Sequence, residues 1–191
     1  MNEFRDYHRT VVGYHGTRRD TALAIVQGER PFSPSRNDDD WLGNGVYFWE
    51  YAPKQALRWA ERRYKKQKQA TAVLGAMIRL GSCFDLLDPD NAKTLQREHK
   101  KMLKDLQASG ITPKKNALSK KYLDCATFEY FYRTQSAEGN QIQTSRAVYV
   151  PTQSKDRLWP SSWLYQDTHI QLCVRDVSCI LGVWLAKPEE L

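Results

Sequence analysis

The residues best suited to chemistry lie in two short segments near the N-terminus. His15-Gly16-Thr17 follows a β-branched run, and Gly43-Asn44-Gly45 leads into Val-Tyr-Phe. The imidazole and the hydroxyl of the first segment offer hydrogen bonds to a sugar. Glycines allow a flat ligand to approach the backbone closely, and Tyr47 offers an aromatic face. Each feature alone is common in ordinary cores, but together they predict two walls of a pocket.

A sheet with attached helices is needed to hold these segments. The hydrophobic pattern predicts strand, helix, strand, helix, strand, then two helices and three strands, which is a mixed α+β domain. The first strand, over 10–14, stops at His15-Gly16, and the helix after it ends at Gly28. The other strands are predicted at 45–50, 71–81, 145–152, 168–175 and 179–186, and the other helices at 52–67, 90–109 and 117–135.

Length and composition indicate one globular domain. The chain has 191 residues, of which 41% are hydrophobic and 12% aromatic, enough for a sizeable core. We expect a single domain over 1–191, with an insert of basic helices at about 90–135. The sequence has no signal peptide and no membrane-spanning run, which predicts a cytoplasmic protein. The cysteines, predicted to be buried free thiols, and the histidines lack metal-ligand spacing, so no metal site is expected.

An excess of positive charge suggests an anionic partner. The net charge is +7, and basic residues concentrate at 61–69 and 93–121. Such stretches favour a nucleic acid or an acidic protein, although lysines also simply solvate helix faces. Aromatic rings near the last strands are suited to stacking on unpaired bases, or else to packing within a loop. The predicted nucleic-acid contacts are Lys114, Lys115, Lys120, Lys121, Trp159 and Trp163.

The combined motifs resemble a known family. His-Gly-Thr, a short helix ending in glycine, Gly-x-Gly-Val-Tyr-Phe and an alanine-rich helix resemble the ADP-ribosyltransferases, in the His-Tyr branch that includes diphtheria toxin and the poly(ADP-ribose) polymerases. "VLGAMIRLGSCFDL" is similar to that family's central strand, and "THIQLCVRDVSCILGVWL" to a C-terminal strand pair of bacterial members. The resemblance covers 11–88 and 168–185. It implies a split, half-barrel β-sheet with flanking helices and NAD⁺ in its cleft.

The resemblance also implies roles for single residues. His15 would bind the adenosine-side ribose, and Gly16 would hold the nicotinamide amide through its backbone, with Thr17 supporting the same turn. Tyr47 would stack on the nicotinamide ring, and Gly45 would allow the ligand to lie close to its strand. A second stacking aromatic is expected at Tyr51 or Tyr64.

The sequence departs from the family at a third position. The family places a glutamate on a late strand, but "THIQLCVR" contains no carboxylate. Gln171 is the best match by position, and by alternation it shares a face with His169 and Cys173. Glu138 and Glu50 are the alternatives for the third catalytic residue. A glutamine can hold a ribose hydroxyl but cannot act as a carboxylate, which favours transfer of a single unit over polymerisation, or else lost activity.

The resemblance therefore implies an NAD⁺-dependent mono-ADP-ribosyltransferase that modifies RNA or DNA and needs no metal. Such an enzyme would serve as a toxin or anti-phage effector, with a neutralising antitoxin protein as partner. The alternatives are transfer to a protein, or a module that binds NAD⁺ or ADP-ribose without turnover. RNA 2′-phosphotransfer, which uses a similar His-Gly-Thr, is a further alternative, with Arg18 and Arg19 beside the motif.

Overall fold

A computed structural model describes residues 6–117, 120–151, 153–187, 189 and 191. Their order of strands and helices matches the sequence prediction. The strands are β1 (Asp6–Arg18), β2 (Val46–Glu50), β3 (Thr71–Asp85), β4 (Thr144–Tyr149), β5 (His169–Val174) and β6 (Ile180–Leu185). The helices are α1 (Arg19–Val26), α2 (Pro53–Tyr64), α3 (Pro89–Ala108) and α4 (Tyr122–Ala137), and a 3₁₀ turn over Lys65–Gln67 extends α2.

The six strands form one mixed sheet in the order β1-β2-β5-β4-β3-β6, and β1 also pairs with β3. The pairings therefore close a ring of five strands, with β6 on the outer edge of β3. The β3–β4 pair is parallel and spans Cys83–Asp85 opposite Thr144–Arg146, whereas the other pairs are antiparallel. The predicted α+β class is confirmed.

Several predicted boundaries were wrong. The first strand begins at Asp6 and not at residue 10, and the strand predicted over 145–152 ends at Tyr149. The first strand does not stop at His15-Gly16, because β1 continues to Arg18 and pairs with β3 along this stretch. The predicted helix over 117–135 begins at Tyr122 instead, and Ala117 pairs with Lys120 in a turn; residues 118 and 119 lie outside the described residues. β3 runs on to Asp85, since its C-terminal end pairs with β4. Local patterns carry no information about such partners.

Strand alternation gives the sheet two faces, named here by what covers them. The core face carries Val46, Phe48 and Leu172, which pack with Val11 and Ile78 in the largest buried cluster. The helix face carries the intervening residues and is covered by α2 and α4. The covering contacts of α4 come from Phe128, Phe131 and Tyr132, packed on Leu42, Ala147 and Cys173.

Helix α2 lies unusually close to β1. A Cβ at Gly16 would lie 2.0 Å from the carbonyl oxygen of Ala56 and 3.0 Å from the Cβ of Ala60. Both alanines are fully buried. Glycine on the strand and alanines on the helix therefore permit a close approach that larger residues would prevent.

The four cysteines, Cys83, Cys125, Cys173 and Cys179, are buried free thiols, as predicted. Burial raises the pKa of the Cys173 thiol to about 12, so it stays protonated near neutral pH. In the described part of the chain, no helix is both long and apolar enough to cross a membrane.

Candidate functional site

β1 and β2 separate at the His-Gly-Thr segment. Within the described chain the two strands pair at Gly13↔Glu50 and Tyr14↔Trp49 and no further. Two more residues in the same register would place Gly16 opposite Tyr47. Instead, the carbonyl of Tyr47 accepts a hydrogen bond from Nδ1 of His15 at 2.8 Å. The side chain of His15 thus takes the acceptor that would have continued the ladder.

Both backbone groups of Gly16 face this gap. Arg19 N–H donates to the carbonyl of Ala70 at 2.8 Å, in the register that pairs Gly16 with Val73. In an antiparallel ladder, alternate residues direct both backbone groups to the same neighbour. Gly16, three residues from Arg19, therefore directs its N–H and C=O away from β3 and toward the β2 side.

The backbone groups of Gly16 form a ready donor-acceptor pair. Gly16 is buried, and among the residues described the ladder between β1 and β2 stops before it. A buried backbone group without a partner costs about 1–3 kcal/mol. A flat primary amide supplies one acceptor and one donor in the matching arrangement.

His15 projects from β1 onto the core face, because it alternates with Gly16 and lies on the side of Gly13. Its ring lies 5.6 Å from the rings of Phe32 and Phe48. Burial lowers its pKa, against a smaller opposing effect of the bond to Tyr47. A carbonyl only accepts, so Nδ1 carries the proton and Nε2 of the neutral ring is an acceptor.

Tyr47 projects onto the helix face, opposite to His15. Its hydroxyl donates to the carbonyl of Gly43 at 2.7 Å and accepts from the N–H of Leu42 at 2.9 Å. Burial raises the pKa of this hydroxyl. The half-buried ring therefore stands against the loop before β2 and packs on the buried cluster beneath α4.

Gln171 lies on β5, on the same face as Tyr47. Tyr47 pairs with Cys173 and Trp49 pairs with Gln171, so the Cβ atoms of Tyr47 and Gln171 are diagonal neighbours about 7 Å apart. Nε1 of Trp41 donates to Oε1 of Gln171. This bond engages the amide oxygen and leaves the NH₂ group of Gln171 as a hydrogen-bond donor.

Sequence reasoning missed the aromatic wall around Gln171. Trp41 meets Tyr149 at 5.9 Å, Tyr149 stacks on His169 at 5.0 Å, and His169 meets Trp49 at 6.2 Å. Register pairs Tyr149 with His169 and Ala147 with Gln171. The alternation in "THIQLCVR" pointed to His169, but nothing local pointed to Trp41 or Tyr149.

His169 is locked in orientation. Its Nδ1 donates to the carbonyl of Asp167, whose carboxylate is held by Gln55 and Arg58 of α2, both at 2.9 Å. The ring is partly buried, and Nε2 is fully covered without a hydrogen-bond partner in the described structure. Burial lowers the pKa of this imidazole, so it is neutral near pH 7.

The two alternative carboxylates lie away from Gln171. Glu50 is on the core face in a bidentate ion pair with Arg146, which also binds Asp85 at 3.0 Å. Glu138 ends α4, where it accepts from Gln135 at 3.1 Å. Its charge acts on Lys101 of α3. Neither carboxylate contacts Tyr47, Gln171 or Gly16.

The remaining predicted ligand-binding residues differ in accessibility. Thr17 is buried on the core face beside His15. Gly45 is buried, and a Cβ there would lie 2.5 Å from Sγ of Cys173. The glycine therefore allows β5 to pack closely. Tyr51 is 64% exposed and adopts a left-handed backbone with φ 50°, a costly conformation for a tyrosine. Tyr64 lies at the end of α2 with its ring against Trp59.

The predicted basic contacts are only partly free. Lys114 pairs with Asp38 at 3.0 Å, and Lys120 pairs with Asp39 at 2.8 Å. These two lysines hold the acidic loop that leads to Trp41. Lys115 is exposed and Lys121 is half-buried.

Trp159 and Trp163 project from the loop of residues 157–165, named here the tryptophan loop. They are 57% and 89% exposed and do not pack inside it. Ser162, between them, is buried. Nη1 of Arg157 donates to the carbonyl of Ser162 at 2.7 Å, and the N–H of Leu164 donates to its hydroxyl. The segment 157–161 lines an open depression of about 610 Å³.

Comparisons with known proteins identify no family. No protein-family profile matches the chain, and no solved structure matches it. An uncharacterized protein of Methanocaldococcus jannaschii is 36% identical over 56 residues, which are 29% of this chain. The matched stretch is about a quarter of that relative's length, 25%. The comparisons therefore indicate no function, and the evidence for one lies in the site itself.

Proposed function

We propose that this protein transfers a single ADP-ribosyl unit from NAD⁺ to a nucleic acid. The observation that carries the proposal is the gap between β1 and β2, where the ladder of the described residues stops before Gly16 and the buried N–H and C=O of Gly16 point toward the β2 side. The carboxamide of nicotinamide has the complementary pair of groups. The strand pairings form a ring, and within it β1 and β2 separate after Tyr14 and Trp49. This separation is consistent with the split sheet of the family that the sequence resembles.

Chemical roles follow from the positions of the side chains. The ring of Tyr47 provides a face for a cationic pyridinium, and the NH₂ of Gln171 can hold a ribose hydroxyl. NAD⁺ supplies the reacting group: a nucleophile bonds to C1 of the ribose as the bond to nicotinamide breaks. Nicotinamide leaves with the electron pair, and the proton of the nucleophile passes to solvent. The residues contribute orientation and dipoles.

A second function is favoured by one observation. Glu50 is sequestered by Arg146, and Glu138 lies at the far end of α4. Neither candidate glutamate therefore stands beside Gln171, which favours a module that binds NAD⁺ or ADP-ribose without turnover.

One experiment separates the two functions. NAD⁺ labelled in the adenylate is incubated with the protein and a cell lysate, and released nicotinamide is measured by chromatography. Label removed by nuclease but not by protease supports the proposal, and label removed by protease indicates a protein target. Calorimetric NAD⁺ binding without nicotinamide release indicates the non-catalytic module. If the protein neither binds NAD⁺ nor releases nicotinamide, both functions are refuted.

A further inference from the structure

The most concentrated positive charge of the described chain lies on α2 and the turn after it. Residues 53–70 contain seven Lys and Arg against one acidic residue, Glu61. Arg62, Arg63, Lys65, Lys66 and Lys68 are all exposed. None of these five side chains forms an ion pair with any residue described. In the stretch at 114–121, by contrast, two of the four lysines form ion pairs with Asp38 and Asp39.

This cationic surface adjoins the candidate site. Arg58 binds Asp167 at 2.9 Å, two residues before His169. The charge of Arg62 acts on His169. His169 and Gln171 are alternate residues on one face of β5, about 7 Å apart. The cations of α2 therefore run past the end of β5 that leads to Gln171.

The tryptophan loop adjoins the same surface. Gln166 N–H donates to the carbonyl of Asp156 at 2.7 Å and closes the loop, and the next residue, Asp167, is held by α2. Ser161 adopts φ 66°, a strained left-handed conformation, beside the outward-facing Trp159. The internal hydrogen bonds of the loop compensate for this strain and hold both indoles in solvent before any partner arrives.

We infer that α2, its following turn and the tryptophan loop form one docking surface for a single-stranded nucleic acid. The cations of Arg62, Lys65 and Lys66 contact phosphates, while Trp159 and Trp163 stack on bases. A duplex keeps its base faces covered, so exposed indoles fit an unpaired strand. An acidic protein would also satisfy the cations, but along an unpaired strand bases and phosphates are linked at each nucleotide, so one strand satisfies the cations and the indoles together. This surface deepens the proposed function, since it brings unpaired bases to Gln171.

Binding measured without NAD⁺ tests the surface independently of any turnover. The probe is a fluorescent twelve-nucleotide oligo-U, followed by anisotropy over a range of salt concentrations. The variant is Arg62→Gln/Lys65→Gln/Lys66→Gln. The matched control is Lys93→Gln/Lys100→Gln/Lys104→Gln on exposed positions of α3. Circular dichroism checks that each variant folds.

Three lost phosphate contacts should lower affinity about 100-fold at 0.1 M salt and reduce the slope of log K against log salt by about 2. The α3 control should stay within about twofold of the parent. Trp163→Ala should weaken binding about 5- to 100-fold and leave the salt slope unchanged, because stacking releases no counterions.

Several results would overturn the inference. These are parent-like binding by the α2 variant, an equal loss in the α3 control, and a loss confined to Lys114→Gln/Lys115→Gln/Lys121→Gln. Equal affinity for a twelve-base-pair duplex would exclude recognition of an unpaired strand. Tighter binding of polyglutamate than of oligo-U would identify an acidic protein as the partner. Loss of nicotinamide release with oligo-U binding intact would instead count against the proposed function alone.

Discussion

At the residue scale, the Trp41–Gln171 hydrogen bond fixes the orientation of the amide. In the proposed function, the NH₂ group of this amide holds a ribose hydroxyl. Trp41→Phe removes the N–H but keeps a ring against Tyr149. We expect nicotinamide release to fall about 3- to 10-fold, the equivalent of one neutral hydrogen bond, with little change in KM for NAD⁺.

A double-mutant cycle shows whether Trp41 acts through Gln171. Gln171→Ala alone should lower turnover about 10- to 1000-fold. In the Gln171→Ala background, Trp41→Phe should have less than about a twofold effect, since the bond is already absent. Additive losses would mean that Trp41 only supports the loop. Proton NMR provides a readout without turnover, because the Trp41 indole proton should shift upfield in Gln171→Ala.

Tyr47 has two separable contributions, its ring and its hydroxyl. Tyr47→Phe leaves the N–H of Leu42 and the carbonyl of Gly43 without their partner and should cost about 1–3 kcal/mol in the free energy of unfolding, measured with urea. Its NAD⁺ turnover should stay within about tenfold of the parent. Tyr47→Ala also removes the ring and should nearly abolish turnover. Equal turnover in Tyr47→Ala and Tyr47→Phe would show that the ring meets no substrate.

At the element scale, the distance between β1 and α2 depends on Gly16. A methyl group there collides with the backbone of Ala56, which a side-chain rotation cannot relieve. Gly16→Ala should therefore destabilise the protein by about 1–3 kcal/mol or more and move α2 away from the gap. The matched control is Gly182→Ala on β6, where a Cβ has no neighbour within 4 Å.

Urea unfolding checks the stability of both glycine variants, and calorimetry checks NAD⁺ binding. Gly182→Ala should match or slightly exceed the parent in stability, because alanine restricts the unfolded chain. A Gly16→Ala protein with parental stability would show that α2 packs less closely than described.

At the scale of the whole molecule, two partly buried histidines make stability depend on pH. The pKa values of His15 and His169 are both lowered by burial, whereas the unfolded value is about 6.5. Below 6.5 the unfolded chain binds more protons than the folded one, so the free energy of unfolding decreases as the pH is lowered. We expect stability to be fully present above about pH 7 and to decline toward pH 5.

Urea unfolding at pH 7 and pH 5 tests this linkage. His15→Gln keeps a donor for the Tyr47 carbonyl but does not titrate, so its loss between the two pH values should be smaller than the parent's. His169→Gln should behave similarly. A parental difference in both variants would assign the acid sensitivity to other groups.

The order and type of the elements followed from the sequence. Alternating or continuous apolar runs such as 71–80 indicate a strand from neighbouring residues alone. Gly28, with φ 75°, ends α1 because glycine adopts this backbone conformation readily. The sequence singled out His15, Tyr47 and Gln171 as candidate site residues, and the alternation in "THIQLCVR" predicted that Gln171 shares a face with His169 and Cys173. Periodicity contains this information because side chains alternate along a strand.

Only the tertiary structure decided how those residues face each other. No local pattern shows that His15 takes the carbonyl of Tyr47 or that Trp41, 130 positions before Gln171, occupies its amide. The sequence predicted Lys114 and Lys120 as free nucleic-acid contacts, but in the fold they form ion pairs with Asp38 and Asp39. Periodicity assigns a residue to a face, but its partner comes from strand order, register and loop path, which depend on contacts distant in sequence.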